Sequence, residues 1–374
     1  MPALPRVRVC AAHLAPVWMD AGRTTDKAVD AIGEAARGGA SLVAFAESFI
    51  PGFPLWTALA APICNHEMFK RFAANSIRAN GAEVARLREA ARRHGIHVSV
   101  GFSESTDISV GCLWNSNLLI GPDGAVLNHR RKLMPTFYEK LVWAEGDGAG
   151  LRVCATPIGR LGMLICGENT NPLARYALIA QGEQLHVATY PPAWPSRPPG
   201  EDGAYDLAEA IRIRAAAHAF EGKCFVLVAS ACLDAEAVAA LSALSPAAAR
   251  VIEATPRAVS MLVGPDGRCV GPILREEGLL HAEADLDACV EPKQIHDIVG
   301  YYNRFDVFRL EVDRTPRVPV VFRDQAPGPE AVRDAATAPD AGEAGGEIRG
   351  AARASPSDAS SPPELRPRSR RPAP

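Results

Sequence analysis

Residues 161–176 read LGMLICGENTNPLARY, and they place Cys166 where a predicted strand gives way to a predicted helix. The apolar run 161–165 is typical of a buried strand. The Asn171-Pro172 step supplies residue types that begin helices, and a helix is predicted over 172–181. A strand followed at once by a helix is the repeating unit of α/β folds. In those folds the carboxyl ends of the strands hold the binding sites, and Cys166 lies at such an end.

The same alternation of strands and helices continues on both sides of this stretch. Further strands are predicted at 7–11, 41–46, 97–102, 114–120, 185–188, 225–229 and 258–263. Further helices are predicted at 25–36, 82–94 and 207–220, with Asp20 and Thr24 as candidate caps of the first. Gly-Pro-Asp-Gly occurs at 121–124 and again at 264–267, and each copy predicts a hairpin between two strands. The sequence therefore predicts an α/β fold whose sheet structure is partly antiparallel.

Two further segments have more than one possible placement. Residues 65–76 predict a helix whose Met68, Phe69 and Phe72 face either a subunit interface, a pocket lid or the core. Residues 234–249 are rich in alanine and predict either a surface helix or a mobile insertion.

The composition is that of a globular chain, and it argues against several classes of function. Of the 374 residues, 48% are hydrophobic and 22% are charged, which is ample for a core. The net charge of −3 gives no basis for a nucleic-acid partner, and no apolar run predicts a membrane span. The nine cysteines form neither a CxxC pair nor a cysteine–histidine cluster at zinc spacing. They predict free thiols in a reducing, cytoplasmic setting and no metal site.

The composition changes at Gln325. Residues 325–374 contain nine prolines, no aromatic residue and only three large apolar residues, Val332, Ile348 and Leu365. Such a segment cannot bury enough apolar surface to offset the entropy lost on ordering. We therefore predict a folded domain over 1–324 and a disordered tail over 325–374.

Cys166 has two interpretations from its own context. A thiol at a strand's carboxyl end, just before a helix N-terminus, is favoured as a thiolate and suits a nucleophile. A buried cysteine that only fills core space is the alternative, because most cysteines in such a chain have that role. The turn alone leaves both interpretations open.

Glu47 and Lys132 also follow predicted strands. A carboxylate at a strand end, as at Glu47, suits a general base, whereas an exposed carboxylate in a salt bridge is the alternative. Lys132 closes the basic run 129–132, which by itself indicates a solvated strip, but the apolar Leu133-Met134 step predicts that this lysine points inward. A desolvated ammonium beside carboxylates can stabilise a developing anion, and Glu139 follows seven residues later.

Three segments together resemble a known family. In chain order, AESFIPGFP at 46–54, HRRKLMPT at 129–136 and CGENTNPLARYALIAQGEQLHVATYPPAWP at 166–195 are similar to the three signatures of the nitrilase branch of the carbon–nitrogen hydrolase superfamily. The resemblance covers residues 6–325 and includes DVFRLEVDRTPRVPV at 306–320, which is similar to the closing strand of microbial nitrilases. It implies a four-layer αββα sandwich, in which two sheets face each other between outer helices.

The resemblance also implies catalytic roles. Cys166 is expected to be the nucleophile, Glu47 the general base and Lys132 the group that stabilises the tetrahedral intermediate. Glu139 stands at the place of the family's second glutamate and is expected to orient Lys132 and the substrate. The implied substrate is a small nitrile, hydrolysed to a carboxylic acid and ammonia through a thioimidate and a thioester, with no metal or organic cofactor. The implied assembly is a homo-oligomer, either a dimer or a larger spiral.

Three further residues bear on the substrate. Gly167 departs from the many nitrilases that carry a tryptophan after the nucleophile. Either it leaves space for a bulkier substrate, or its backbone needs a positive φ that only glycine adopts easily. Tyr190 and Trp194 lie in a segment that resembles a pocket lining, where they either contact the substrate or pack at a rim or interface.

Other functions are compatible with the same residues. Hydrolysis of an amide or an N-carbamoyl group, or hydration of a nitrile to an amide, would use the same nucleophile, base and lysine. An inactive, assembly-forming homologue would be expected to lack at least one of Glu47, Lys132 and Cys166. All three are present.

Overall fold

The computed structural model describes residues 4–198, 201 and 205–320. The elements below belong to a compact unit that ends at Arg317. The predicted disordered tail at 325–374 lies outside the described residues, so it stays a prediction.

Eleven strands occur among the described residues. They are β1 (Arg6–His13), β2 (Leu42–Phe45), β3 (His97–Ser105), β4 (Leu113–Ile120), β5 (Val126–Arg131), β6 (Cys154–Thr156), β7 (Gly159–Ile165), β8 (Leu185–Tyr190), β9 (Phe225–Ser230), β10 (Met261–Val263) and β11 (Gly278–Asp285). Every strand predicted from an apolar run is present, although the last is shorter than its run.

The strands form two mixed sheets. The first has the order β11-β1-β2-β3-β4-β5, and the second has the order β10-β9-β8-β7-β6. In the first sheet β1, β2 and β3 are parallel, and in the second β7, β8 and β9 are parallel. Parallel neighbours end at the same edge of a sheet, so Glu47 after β2 and Cys166 after β7 each lie at a carboxyl edge.

Nine α-helices connect or cover the strands in the described part of the chain. They are α1 (Ala21–Arg37), α2 (Trp56–Leu59), α3 (His66–Ala74), α4 (Ala82–His94), α5 (Pro172–Ile179), α6 (Leu207–Gly222), α7 (Ala235–Ser242), α8 (Pro246–Ala254) and α9 (Glu291–Ile295). Asp20 caps α1 by accepting a hydrogen bond from the main-chain N–H of Arg23. None of the helices described is both long and apolar enough to cross a bilayer.

The core has three apolar layers, which follow from the two-residue period of each strand. Side chains on one face of both sheets, among them Leu42 and Val187, pack together between the sheets. The opposite face of the first sheet, including Val43, packs against α1 and α4. The opposite face of the second sheet, including Val226, packs against α6. The predicted four-layer αββα sandwich is confirmed.

Two predictions about local structure differ from what is found. The turn at 121–124 joins β4 to β5 as a hairpin. The turn at 264–267 also reverses the chain, but the returning segment forms no regular strand and pairs back only through the antiparallel bridges Val263–Cys269 and Ser260–Leu274. Residues 306–320, predicted as a closing strand, contain no strand. Their main chain pairs with neither sheet of the chain, and most of their side chains are exposed.

The two segments that the sequence left with more than one placement, 65–76 and 234–249, both pack into one hydrophobic cluster. Phe72 of α3 is buried, and it packs with Trp18 and Trp143 in an aromatic cluster. Residues 234–249 form α7 and the first part of α8, and Leu241 and Ile252 pack into the same cluster. The core placement therefore holds for α3, and the helical interpretation holds for 234–249.

Candidate active site

Four predicted residues meet between the carboxyl edges of the two sheets. Lys132 donates hydrogen bonds from Nζ to Oε1 of Glu47 at 2.7 Å and to Oε1 and Oε2 of Glu139 at 2.8 and 2.7 Å. The sulfur of Cys166 and one oxygen of each carboxylate all lie within 4.8 Å of one another. Lys132, Glu47 and Glu139 have no exposed side-chain surface. These residues lie up to 119 positions apart in the sequence, and the packing of the two sheets brings them together.

The two oxygens of Glu47 have different surroundings. Oε1 accepts hydrogen bonds from Lys132 and from Nδ2 of Asn115 on β4, each at 2.7 Å. Oε2 is buried and has no hydrogen-bond partner. A buried carboxylate oxygen without a donor is available to take a proton, and a base is expected to have such an oxygen. Asn115 was not identified from the sequence, which gives no local signal for it.

Lys132 and Glu139 each shift the pKa of the other through their opposite charges. Burial by itself would lower the pKa of Lys132, but the carboxylates of Glu139 and Glu47 outweigh burial and raise that pKa, so the ammonium is kept. Burial and the neighbouring Glu47 raise the pKa of Glu139 to about 7, although Lys132 opposes them. Glu139 is further fixed because Oε2 accepts a hydrogen bond from the main-chain N–H of Thr136 at 2.9 Å.

Cys166 sits on a strained turn and is almost fully buried. Its φ is +50°, in the left-handed region that residues with a side chain rarely adopt. Burial and the charge of Glu47 raise the pKa of its thiol well above the ordinary value, and Lys132 offsets only part of this. The sequence predicts a thiolate favoured by a helix N-terminus, whereas the structure favours a neutral thiol. If Cys166 is the nucleophile that the sequence predicts, it needs a base to remove its proton.

A buried ion pair joins the turn at Cys166 to the strand end that carries Lys132. Arg130 donates from Nη2 to both oxygens of Glu168 at 2.7 Å. Glu168 in turn accepts from the main-chain N–H groups of Ile165 at 2.8 Å and Leu133 at 2.6 Å. The basic run 129–132 is thus not a solvated strip, because Arg130 as well as Lys132 points inward. The acidic residue two positions after the cysteine is the sequence signal that could have identified this pair.

The two aromatic residues predicted to contact the substrate both lie near the four-residue cluster. Thr189 pairs in register with Ile165, so Tyr190 and Cys166 are the next residues along two neighbouring parallel strands. Tyr190 is fully buried, and its hydroxyl has no partner. Trp194 stacks on Tyr138, with ring centroids 4.4 Å apart. This arrangement is consistent with pocket lining, which stays a prediction for both residues.

Tyr138 is a further candidate that the sequence did not reveal. It lies beside Glu139 in a short 3₁₀ helix, Phe137–Leu141, and its buried hydroxyl has no partner. Burial, with the nearby charge of Glu139, raises the pKa of Tyr138 well above its ordinary value, so the phenol keeps its proton. An uncommitted buried donor suits a polar atom of a substrate.

The space beside Gly167 is not open. A Cβ atom at this position would lie 2.8 Å from Oγ1 of Thr136, and the φ of Gly167 is not positive. The residue with a positive φ is Cys166 itself. Both interpretations from the sequence therefore need correction: Thr136 fills the space, and the strained backbone lies one residue earlier.

Two groups of three residues among those described could in principle surround a metal ion. One is Glu47, Glu139 and Cys166, but the ammonium of Lys132 already lies between the two carboxylates. The other is Glu183, His186 and His218, whose donor atoms contact each other directly at 2.7 and 2.8 Å. Ligands of a tetrahedral zinc ion lie roughly 3 Å or more from each other, so these contacts fit hydrogen bonds better than a metal site.

Comparison with known proteins finds a matching family and similar sequences. A family model described as carbon-nitrogen hydrolase matches residues 6–294. The chain is 37% identical over 316 residues to an aliphatic nitrilase of Rhodococcus rhodochrous, which covers 84% of each chain. It is 36% identical over 325 residues to an arylacetonitrilase of Hypocrea virens, covering 86% of this chain and 95% of the relative. It is also 36% identical over 333 residues to a cyanide hydratase of Botryotinia fuckeliana, covering 88% of each chain.

Solved structures show the same fold. A carbon–nitrogen hydrolase from Helicobacter pylori aligns with a TM-score of 0.62 at 17% identity, covering 81% of this chain and 97% of that chain. The NitFhit protein of C. elegans aligns with a TM-score of 0.61 at 21% identity, covering 83% of this chain and 68% of that chain. At these identities the likeness concerns the fold alone.

Proposed function

The chain belongs to the carbon–nitrogen hydrolase family, as its three motifs predict, and we propose that it is a nitrilase with Cys166 as its nucleophile. It is a hydrolase that acts on carbon–nitrogen bonds, and the proposal concerns the substrate and the residues that carry the reaction. The observation that supports it most is that Glu47 has a free Oε2 in a carboxylate that pairs with the ammonium of Lys132 through Oε1 and has an oxygen within 4.8 Å of the buried thiol of Cys166. The relatives named as nitrilases support the substrate class.

The first half of the reaction forms a covalent intermediate. Glu47 takes the thiol proton on Oε2, the sulfur adds to the nitrile carbon, and the proton passes to the nitrile nitrogen, which gives a thioimidate. A base is required here because burial disfavours the thiolate of Cys166. Lys132 keeps the negative charge of Glu47 paired at Oε1, so that Oε2 is the oxygen that exchanges the proton.

The second half releases two products with two waters. Glu47 removes a proton from the first water, which adds to the thioimidate carbon and gives a tetrahedral species bearing an amino group and a hydroxyl. Loss of ammonia, with the hydroxyl proton transferred to it, leaves a thioester. A second water, activated in the same way, releases the carboxylic acid and restores the thiol. Lys132 stabilises the negative charge that develops on each tetrahedral species.

A second candidate is hydration of the nitrile to an amide. The tetrahedral species can expel the thiol in place of ammonia, and the amide is then the product. The relative named as a cyanide hydratase favours this possibility for part of the turnover. Hydrolysis of an amide or N-carbamoyl substrate would use the same residues, so the product and the substrate must both be measured.

The decisive experiment measures ammonia, amide and acid released from a panel of nitriles and their amides. Wild-type protein is expected to prefer nitriles, and Cys166→Ala is expected to lose at least about 10²-fold in ammonia release, since the covalent route is removed. Cys10→Ala is the matched control, because Cys10 is also buried but lies in β1. An active Cys166→Ala variant would refute the assignment, and a wild type inactive on every substrate would favour an inactive homologue.

We also propose that the chain forms homo-oligomers, either dimers or larger spirals. Tyr301, Phe305 and Phe308 are largely exposed, and contiguous exposed apolar side chains on a single chain commonly mark an interface. Light scattering of the purified full-length protein is expected to give a mass above that of one chain. A monomer at micromolar concentration would contradict the proposal.

A cytoplasmic location is proposed on the state of the thiols. All nine cysteines are free, which is typical of proteins in a reducing compartment. Fractionation of the producing cells tests this, and recovery of the protein in a secreted or periplasmic fraction would contradict it.

A further inference from the structure

A buried polar chain lies behind the nucleophile, and the proposed reaction steps do not use it. Its members are Asn169, His186, Glu183 and His218, each at most 2% exposed. Buried polar side chains are costly unless each is well paired, so a connected set at this position calls for an explanation.

The chain of contacts leads from Glu183 to the main chain of the nucleophile. Oε1 of Glu183 lies 2.7 Å from Nδ1 of His186, and Nε2 of His186 lies 2.9 Å from Oδ1 of Asn169. Asn169 donates from Nδ2 to the carbonyl of Cys166 at 3.1 Å and to that of Leu164 at 3.3 Å. The other oxygen of Glu183 lies 2.8 Å from Nε2 of His218.

A glycine in the second sheet leaves room for these buried polar side chains. Gly162 of β7 lies beside Glu183, and a Cβ atom there would come within 1.8 Å of Oε1. Any other residue at 162 would displace the carboxylate from His186. The position of the glutamate therefore depends on a glycine in the strand that ends at Cys166.

The contacts also fix where protons lie. Two main-chain carbonyls hold the NH₂ group of Asn169, so its oxygen faces His186 and accepts from Nε2–H. The other ring nitrogen faces a carboxylate oxygen and also needs a proton between the two atoms. Burial and His218 lower the pKa of His186 to about 4, which favours a neutral ring, whereas the two short contacts favour a second proton. The ring donates through both nitrogens, because a neutral ring would set two acceptors against each other.

The nucleophile turn needs support of this kind. Cys166 adopts a φ of +50°, which is unfavourable for a residue with a side chain. One amide, that of Asn169, binds the carbonyls on both sides of Ile165 and so fixes the point where the strand turns. His186 and Glu183 prevent that amide from rotating.

We infer that Asn169, His186 and Glu183 are positioning residues that hold the sulfur of Cys166 in line with the nitrile carbon and with Oε2 of Glu47. The inference rests on the proposed nitrilase function. A displacement of about 1 Å at a reacting atom can cost about 10²-fold in rate. Loss of the contacts among Asn169, His186 and Glu183 is therefore expected to lower kcat with little change in KM. The direction in which the tetrahedral species collapses depends on the same geometry, so the amide share of the product is expected to rise.

The test compares two substitutions at one position. His186→Leu removes both contacts and is expected to lower kcat per folded site about 10- to 100-fold and to raise the amide share. His186→Gln can still donate to Asn169 and is expected to recover most of both properties. His97→Leu is the matched control, because His97 is a buried histidine of β3 whose Nδ1 contacts the carbonyl of Ser41. It is expected to lower stability without changing the amide share.

A second variant and a second readout keep the outcome decisive. Asn169→Asp keeps the shape but loses the two donated hydrogen bonds, so it is expected to resemble His186→Leu and decides the matter if that variant does not fold. The rate at which iodoacetamide labels Cys166, followed by mass spectrometry, is expected to fall in both variants. This readout needs no nitrile. It therefore tests whether Asn169 and His186 position Cys166 even if the proposed nitrilase function is wrong. An unchanged amide share, kcat and labelling rate in the folded variants would overturn the inference.

Discussion

At the scale of single residues, the site is defined by how few partners its reactive atoms have. Glu47 keeps one oxygen without a donor, although its other oxygen is held by Lys132 and Asn115. The thiol of Cys166 is buried beside it and favours its neutral form. A base with a free oxygen and a thiol that will not ionise unaided complement each other. Proton transfer from sulfur to Glu47 is therefore expected to accompany addition to the substrate.

The acid limb of the pH profile is predicted to belong to Glu139. Its folded-state pKa of about 7 means that it gains a proton as pH falls through about 7. Protonation leaves Lys132 paired with Glu47 alone, which strengthens that pair and weakens Glu47 as a base. We expect kcat/KM to fall below about pH 7, and Glu139→Gln to be slow at every pH but to lack this limb.

The measurement is kcat/KM between about pH 5 and pH 9 for both proteins. Glu145→Gln serves as the control, because Glu145 is an exposed glutamate whose side chain lies 3.5 Å from Arg317. It is expected to keep the wild-type profile. An acid limb that stays in place in Glu139→Gln would assign it to another group.

At the scale of elements, the turn after β7 is held from both sides. Glu168 faces Arg130 and joins the turn to the strand end that carries Lys132. Asn169 faces the opposite way and joins the turn to β8 through His186. Two consecutive side chains therefore fix the proposed nucleophile relative to both sheets, which explains how the left-handed backbone conformation of Cys166 is maintained.

Gly167 gives the prediction that belongs to this turn. Its φ is compatible with other residues, but an added Cβ would lie 2.8 Å from Oγ1 of Thr136. Gly167→Ala is expected to fold and to lose activity moderately, while Gly167→Trp is expected to lose activity toward small and bulky nitriles alike, because Thr136 must move. Thr136 donates its main-chain N–H to Glu139, so its displacement would disturb the proposed catalytic cluster.

A double-mutant cycle checks this prediction. The double variant Gly167→Ala/Thr136→Ala lacks the Thr136 hydroxyl that the added Cβ would contact. It is therefore expected to be more active than the summed losses of the two single variants predict. Turnover of one small and one bulky nitrile is measured for all four proteins. Additive losses would mean that Thr136 is not the obstacle, and a loss confined to the bulky nitrile would restore the interpretation of open pocket space.

At the scale of the whole molecule, the site exists because two sheets stack. Glu47 and Lys132 follow strands of the first sheet, and Cys166 follows a strand of the second. The layer of apolar side chains between the sheets sets their separation and so brings the sulfur near the carboxylates. Helices on the outer faces shield the sheets but contribute none of the four proposed catalytic residues.

The tail is predicted to be dispensable for catalysis. A chain that ends at residue 324 is expected to keep its thermal stability and its rate on nitriles, because residues 325–374 lack the apolar side chains that packing requires. The control is a chain that ends at residue 311, which removes the contacts of Arg317 with Asp147 and Glu145 and is expected to be less stable. Thermal melting and ammonia release are measured for both. Unfolding of the longer truncated chain would contradict the composition argument.

Local sequence was sufficient for what depends on neighbours along the chain. Apolar runs predicted the strands, and the helical patterns between them predicted most helices, because these signals depend only on residues near each other in the sequence. Asp20 was predicted as a cap, and three ordered motifs predicted the family and the αββα sandwich. The tight turn at 121–124 was also predicted, since proline and glycine restrict the backbone by themselves.

Tertiary structure alone decided what depends on residues far apart in the sequence. The free oxygen of Glu47, the neutral thiol of Cys166 and the inward direction of Arg130 follow from burial and from partners on other strands. The space beside Gly167 was misjudged because Thr136, which fills it, lies on another segment. The strand expected at 306–320 did not form, since pairing needs a neighbouring sheet edge that no local pattern specifies. Hydrogen bonds and desolvation act through space, so their consequences become visible only once the chain has folded.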